Sequence, residues 1–162
     1  MSLIILTADE LIALDTESWA QFRRAARETP TATRILRAFL DHGGPLRVEE
    51  IADASALKRL HDDDLIRIRD GQIDIAYPFS ALPTPFLVRL PDGRERYACC
   101  ATDALGVAPM IGQPIDIRAR CHHSGAPLGF SVHPEGPGVD AAGVMLWSGK
   151  RAEEQCRSID GL

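Results

Sequence analysis

The stretch Arg96–Leu105, RYACCATDAL, places the adjacent cysteines Cys99 and Cys100 just ahead of Asp103. A helix from Tyr97 to Leu105 would set Cys99 four residues and Cys100 three residues before Asp103, and both spacings share a helical face. A thiol and a carboxyl that meet can exchange a proton, and the thiolate so formed is a nucleophile and a soft-metal ligand. The residues alone leave blander readings open, because a cysteine on a helix also serves as small apolar packing and an aspartate as a solvated charge. A structural zinc site fits less well. Cys100, Cys121 and Cys156 form no C-x-x-C knuckle, and His122 and His123 sit side by side, where both do not easily turn to one metal.

The composition bounds what such a pair could serve. The chain has 162 residues, 45% of them apolar, enough for one core with a minor lobe and no disulfides. A net charge of -5 speaks against nucleic acid or an anionic membrane as the main partner, since both demand a surplus of Lys and Arg. The opening MSLIILTADELIALD has a four-residue apolar run, no basic flank and an acid by Asp9. It reads as neither a signal peptide nor a membrane span, so a cytoplasmic protein is expected. In that reducing compartment Cys99, Cys100, Cys121 and Cys156 are expected as free thiols.

Periodicity predicts the secondary structure around the pair. A capping Ser18 with Trp19 and Phe22 three apart predicts a short helix to Ala26, before Pro30. Ile35, Leu36, Phe39 and Leu40 predict a helix from Thr31 that stops at Gly43-Gly44. Short helices are predicted at Glu49–Ala52 and Ser55–Asp62, then two alternating runs joined at Asp70-Gly71. Helix, turn, helix, hairpin is the order of a winged helix. Between Thr31 and Ser80, however, nine acids face seven bases, and Asp62-Asp63-Asp64 ends the presumed recognition helix, where they would repel phosphate.

Pro83 and Pro85 mark a boundary between an N-terminal lobe, residues 1–82, and a second lobe, residues 83–162. The second lobe is expected to hold a strand at Phe86–Leu90, a turn at Pro91-Asp92-Gly93, and a helix carrying the Cys/Asp motif that ends by Gly106 or Pro109. Antiparallel strands IDIRARC and LGFSVHP, joined by HHSGAP, come next. EGPGVDAAG reads as a loop, Val144–Trp147 as a short strand and KRAEEQCRSIDGL as a polar, helix-like tail. The expected fold class is α+β, a small winged-helix-like helical lobe followed by an antiparallel-sheet lobe. There is no Walker motif, G-x-G-x-x-G loop or G-x-S-x-G elbow, so nucleotide-dependent and serine-hydrolase readings have no footing.

The 37 residues from Arg96 to Val132 resemble the core of the alkylmercury (organomercurial) lyases. That core carries Tyr-Ala-x-Cys-Ala-x-Asp-x-Leu, then Ile-Gly, then a Cys followed by Thr/Ser-Gly-x-Pro. Here Tyr97, Ala98, Cys100, Ala101, Asp103 and Leu105 supply the first element, Ile111-Gly112 the second, and Cys121 with Ser124, Gly125 and Pro127 the third. Members of the family also begin with a small winged-helix-like lobe. The resemblance implies that Cys100 and Asp103 are catalytic and that Cys121 is structural. It also implies a second catalytic cysteine further on, for which Cys156 in EEQCRSI is the candidate; Cys99 stands where the family often has an aromatic residue. The family normally continues past the point where this chain ends at Leu162, so the core is expected to be shortened at its C-terminus.

The chemistry that the resemblance implies is protonolysis of a carbon–mercury bond, releasing a hydrocarbon and Hg(II), with the mercury held by Cys100, Asp103 and Cys156. Thiolates are the soft donors mercury prefers, and an acid within reach can protonate the carbon they make more negative. The partners implied are a small organomercurial substrate, cellular thiols and a mercuric reductase as acceptor of Hg(II). No dissociable organic cofactor is expected, because the metal is part of the substrate. The competing expectation is a noncatalytic lyase-like protein, binding a soft metal or organometal or serving as a metal-responsive regulator. The position of Cys156 discriminates between the two.

Overall fold

A computed structural model describes residues 29–146 and Ile159. The predicted helix at Ser18–Ala26, Trp147, and Cys156 with most of the polar tail lie outside the described residues. Helix α1 runs from Pro30 to His42. Thr29 caps it by accepting the Ala32 N–H, Pro30 occupies the first turn, and Gly43, at φ 68°, ends it with its N–H on the Phe39 carbonyl. Ala32, Ile35 and Phe39 form its buried stripe. A two-residue strand β1 (Leu46–Arg47) and a 3-10 turn (Val48–Glu50) lead to helix α2 (Ala54–Asp62), which Asp53 caps through the Ala56 N–H.

Strands β2 (Ile66–Arg69) and β3 (Gln72–Ala76) form the predicted hairpin. Its turn residues Asp70 and Gly71 both have positive φ, 52° and 73°, as a two-residue turn matched to strand twist requires. The alternation is broken inside it. Arg67 pairs with Ile75 and Ile68 with Ile73, which leaves Asp74 as the extra residue of a bulge. Ile73 and Ile75, which a regular strand would place on one face, therefore join different apolar clusters.

The remaining strands are β4 (Phe79–Ser80), β5 (Phe86–Arg89), β6 (Glu95–Ala98), β7 (Ile115–Arg120), β8 (Pro127–His133) and β9 (Gly136–Pro137). All neighbours are antiparallel, in the order β1-β3-β4-β6-β5-β7-β8-β9 with β2 on the other edge of β3. Among the described residues the fold is thus α+β with one nine-stranded antiparallel sheet, and that sheet continues across residues 82 and 83 through the pairing of β4 with β6. Arg94 and Arg96, at the start of β6, donate to the Phe39, Leu40 and Asp41 carbonyls at the end of α1 and so tie helix to sheet.

Helix α3 spans Ala101–Ile111 and packs on β5 through β9. Two expectations change here. Tyr97 and Ala98 belong to β6, so the motif does not sit wholly on a helix: Ala101, Asp103 and Leu105 are on α3, while Cys100 is the residue before its first turn. The helix also passes through Gly106 and Pro109 and stops at Gly112, φ 67°. Ala104, Val107 and Ala108 are buried beneath it and Ile111 packs against the same core, and that burial offsets the roughly 1 kcal/mol of a mid-helix glycine and the roughly 3 kcal/mol of a mid-helix proline. Past β8 the expected loop contains β9 and a 3-10 turn at Val139–Ala141. Val144–Leu146 form no strand: they are exposed, and Val144 closes a turn onto the Ala141 carbonyl.

Candidate active site

The site begins where β6 ends. The Cys99 N–H donates to the Pro78 carbonyl at 3.0 Å, and Cys100 keeps an extended backbone, φ -147° and ψ 179°. Side chains alternate along an extended chain, so these neighbours part company. Cys99 turns inward, 5% exposed, against Ile75, Tyr77 and Ile159. Cys100 is half-buried and caps α3: its sulfur accepts the Asp103 N–H at 3.4 Å. The Cys100 thiol in turn donates to Asp103 Oδ2 at 3.0 Å. The predicted pairing of Cys100 with Asp103 is present, but made by a cap rather than by a helix face. The expected shared face of Cys99 and Asp103 is absent because Cys99 precedes the helix.

The electrostatics favour a protonated resting thiol. Burial first, then the hydrogen bond to Asp103, push Cys100 above its ordinary range, and the N–H groups of Asp103 and Thr102 offset this only in part. Cys99 is raised further, by burial and then by the nearby Asp103 and Cys100. At neutral pH the arrangement is a thiol hydrogen-bonded to a carboxylate, ready to pass its proton across 3.0 Å when a soft electrophile takes the sulfur.

Behind Cys99 lies a set of charges that sequence reasoning missed. Arg67, 4% exposed, makes two 2.8 Å bonds to Asp74, and its remaining nitrogen donates to the Ile159 carbonyl at 3.1 Å. Asp64, also buried, accepts the Ile159 N–H at 3.2 Å. Of the run Asp62-Asp63-Asp64, expected to repel phosphate, Asp64 instead serves the interior. The available signal was a basic and an acidic residue placed symmetrically about the Asp70-Gly71 turn.

Cys121 follows the last residue of β7, and the strand registers put that end beside the end of β6, with β5 between them. It belongs to a turn, its N–H on the Ala126 carbonyl and its C=O on the Gly125 N–H, both 2.8 Å. Hydrogen bonds from the Ser124 side chain and from the Ser124 and His123 backbones hold its thiol below the ordinary range. His122 and His123 are exposed on that turn. Among the described residues no three His, Cys, Asp or Glu side chains gather to hold a metal ion, and no helix is long and apolar enough to cross a membrane. Cys99, Cys100 and Cys121 are free thiols.

The chain is similar to curated alkylmercury lyases. That of Streptomyces lividans is 30% identical over 119 residues, 68% of this chain and 54% of the relative. The Staphylococcus epidermidis enzyme is 30% identical over 111 residues, 63% of this chain and 50% of the relative. The chain thus spans about half the length of these relatives. The fold is similar to a solved structure titled as the mercury-bound form of MerB2, with a TM-score of 0.57 and 22% identity over 76% of this chain and 66% of that one. The family model described as alkylmercury lyase matches residues 79–161, just over half of the chain, a span that includes Cys100, Asp103 and Cys156. By that match the chain belongs to the alkylmercury lyase family.

Proposed function

We propose that this protein is an organomercurial lyase that cleaves the carbon–mercury bond by protonolysis. The observation that carries the reading is the Cys100 thiol donating to the Asp103 carboxylate at 3.0 Å. In the first step the sulfur of Cys100 binds the mercury of R–Hg–X, its proton passes to Asp103, and X, a small thiolate, leaves. In the second, the Asp103 carboxylic acid gives that proton to the carbon of R, R–H departs, and Hg(II) stays on sulfur. One carboxyl accepts and returns the same proton, so no organic cofactor enters the balance. A second thiolate would make the carbon more negative and hold the product.

Cys156 is the proposed source of that second thiolate. It lies outside the described residues, three positions before Ile159, which is buried against Cys99. Three residues of chain reach at most roughly 11 Å, so the connection allows the approach. Free thiols suit a reducing cytoplasm, where small thiols deliver the substrate and a mercuric reductase can take the Hg(II). Residues 30–76, with α1, α2 and the β2–β3 hairpin in that order, support reading the N-terminal lobe as winged-helix-like. Its proposed task is to brace the 83–162 lobe, which carries Cys100 and Asp103.

The test is benzene release from phenylmercury in excess small thiol. The parent is expected to release benzene, and Cys100→Ser to lose the activity by at least about a hundredfold, since a hydroxyl is a poor ligand for a soft metal. Near-parental turnover by that variant ends the reading. A parent that binds phenylmercury without cleaving it is the noncatalytic lyase-like protein instead.

A further inference from the structure

We infer that Asp64 and Arg67 anchor the chain at Ile159 against the back of Cys99, and that this anchor positions the Cys100 thiol against Asp103. The inference deepens the proposed lyase function and rests on it. Both backbone polar groups of Ile159 are taken, the N–H by Asp64 at 3.2 Å and the carbonyl by Arg67 at 3.1 Å. The Ile159 side chain, 0% exposed, packs with Ile75 and Cys99.

The construction is costly. It buries a guanidinium and two carboxylates, breaks β3 with a bulge at Asp74, and holds Asp64 at φ 59°. Leucines in those places would cover Cys99 at least as favourably. What apolar cover cannot do is choose which residue of a passing chain sits there. Two directional hydrogen bonds to one residue fix the register, as buried polar groups do in other packed elements. The fixed residue presses on Cys99. Because successive side chains of an extended segment point to opposite sides, holding Cys99 inward holds Cys100 outward, toward Asp103. Proton transfer between them needs that placement to within about half an ångström.

The test uses the full chain with Asp64→Gly and Asp64→Asn. Glycine accepts the left-handed backbone and removes the carboxylate while leaving the Arg67–Asp74 pair in place. Asparagine also tolerates that backbone and keeps an oxygen for the Ile159 N–H. Native iodoacetamide labelling, mapped by mass spectrometry, reports the cover over Cys99; phenylmercury kinetics report the site. For Asp64→Gly, Cys99 labelling should rise about tenfold and kcat fall about tenfold, with KM within about twofold of the parent. Asp64→Asn should restore both. Arg67→Leu should reproduce the glycine pattern with a lower melting temperature, because it also strands Asp74. Parental labelling in Asp64→Gly overturns the anchor, and raised labelling with parental kcat overturns the positioning role. If the parent releases no benzene the lyase reading fails, and Cys99 labelling alone then judges the anchor.

Discussion

At the scale of the residue, the proposed reaction depends on one proton with two owners. In the resting protein Cys100 holds it and Asp103 accepts the hydrogen bond; with mercury on sulfur, Asp103 must hold it. Asp103→Asn separates these roles with effects of opposite sign. The carboxylate helps keep the Cys100 thiol above its ordinary range, so its loss should bring the thiol down and speed iodoacetamide labelling at pH 7.5 severalfold. The same variant cannot donate the proton to carbon, so benzene release should fall by a factor of about 100 or more. Labelling and cleavage that move together would contradict the assignment. Cys99 offers a second test through stability. Its folded-state value is raised above the ordinary 9.0, so the unfolded chain loses this proton first as pH rises. The associated stability is present below pH 9 and lost above it. Between pH 7.5 and 9.8 the parent's melting temperature should therefore drop further than that of Cys99→Ala; equal drops would place Cys99 in a more solvated setting.

At the scale of the element, α3 separates holding from reacting. Its N-terminal turn bears Asp103, and its C-terminal stop is Gly112 at φ 67°, where an added Cβ meets nothing within 4 Å. Gly112→Ala should thus cost only the left-handed backbone strain, about 1–2 kcal/mol, which lowers the melting temperature by about 2–8 °C in a chain of this size. Phenylmercury turnover at 25 °C should match the parent, and a large loss would mean that strain at the helix end reaches the thiol. The sequence made the helices α1 and α2 and the β2–β3 hairpin readable because caps, breakers and the Asp70-Gly71 turn are local signals. It made Cys100 and Asp103 readable as partners because their separation is three in any conformation that turns there. It hid the manner of their meeting: β6 runs four residues into the cap without a polar breaker, and cysteine is not among the usual N-cap residues. The Asp74 bulge was hidden as well, since its cause is Arg67 and, through Arg67, a residue 92 positions away.

At the scale of the molecule, one sheet runs from the β2–β3 hairpin through the β4–β6 pairing to β7, β8 and β9, so residues on both sides of the proposed boundary at 82–83 share it. Arg94 and Arg96 fasten α1 to β6, and hydrogen bonds from Asp64 and from Arg67 of β2 hold Ile159. β6 is thus tied to α1 near its start, and just past its end Cys99 packs against Ile159. Two of the three consecutive acids are thereby accounted for: Asp64 is buried, and Asp62 pairs with Lys58 on the exposed surface of α2. The proposed reaction gives Cys156 a specific task to test. With Cys100 and Asp103 alone, the site has one thiolate, able to capture an organomercurial but weak against competing small thiols and weak at making the carbon negative. A second thiolate from the chain leading into Ile159 would correct both. Cys156→Ala is accordingly expected to leave one-to-one phenylmercury capture by Cys100 in place, to slow benzene release by about 100-fold, and to let a millimolar small thiol strip Hg(II) that the parent retains. Melting, mass-spectrometric capture, benzene release and Hg(II) competition on this one variant form the test, and parental cleavage together with parental retention would remove Cys156 from the site.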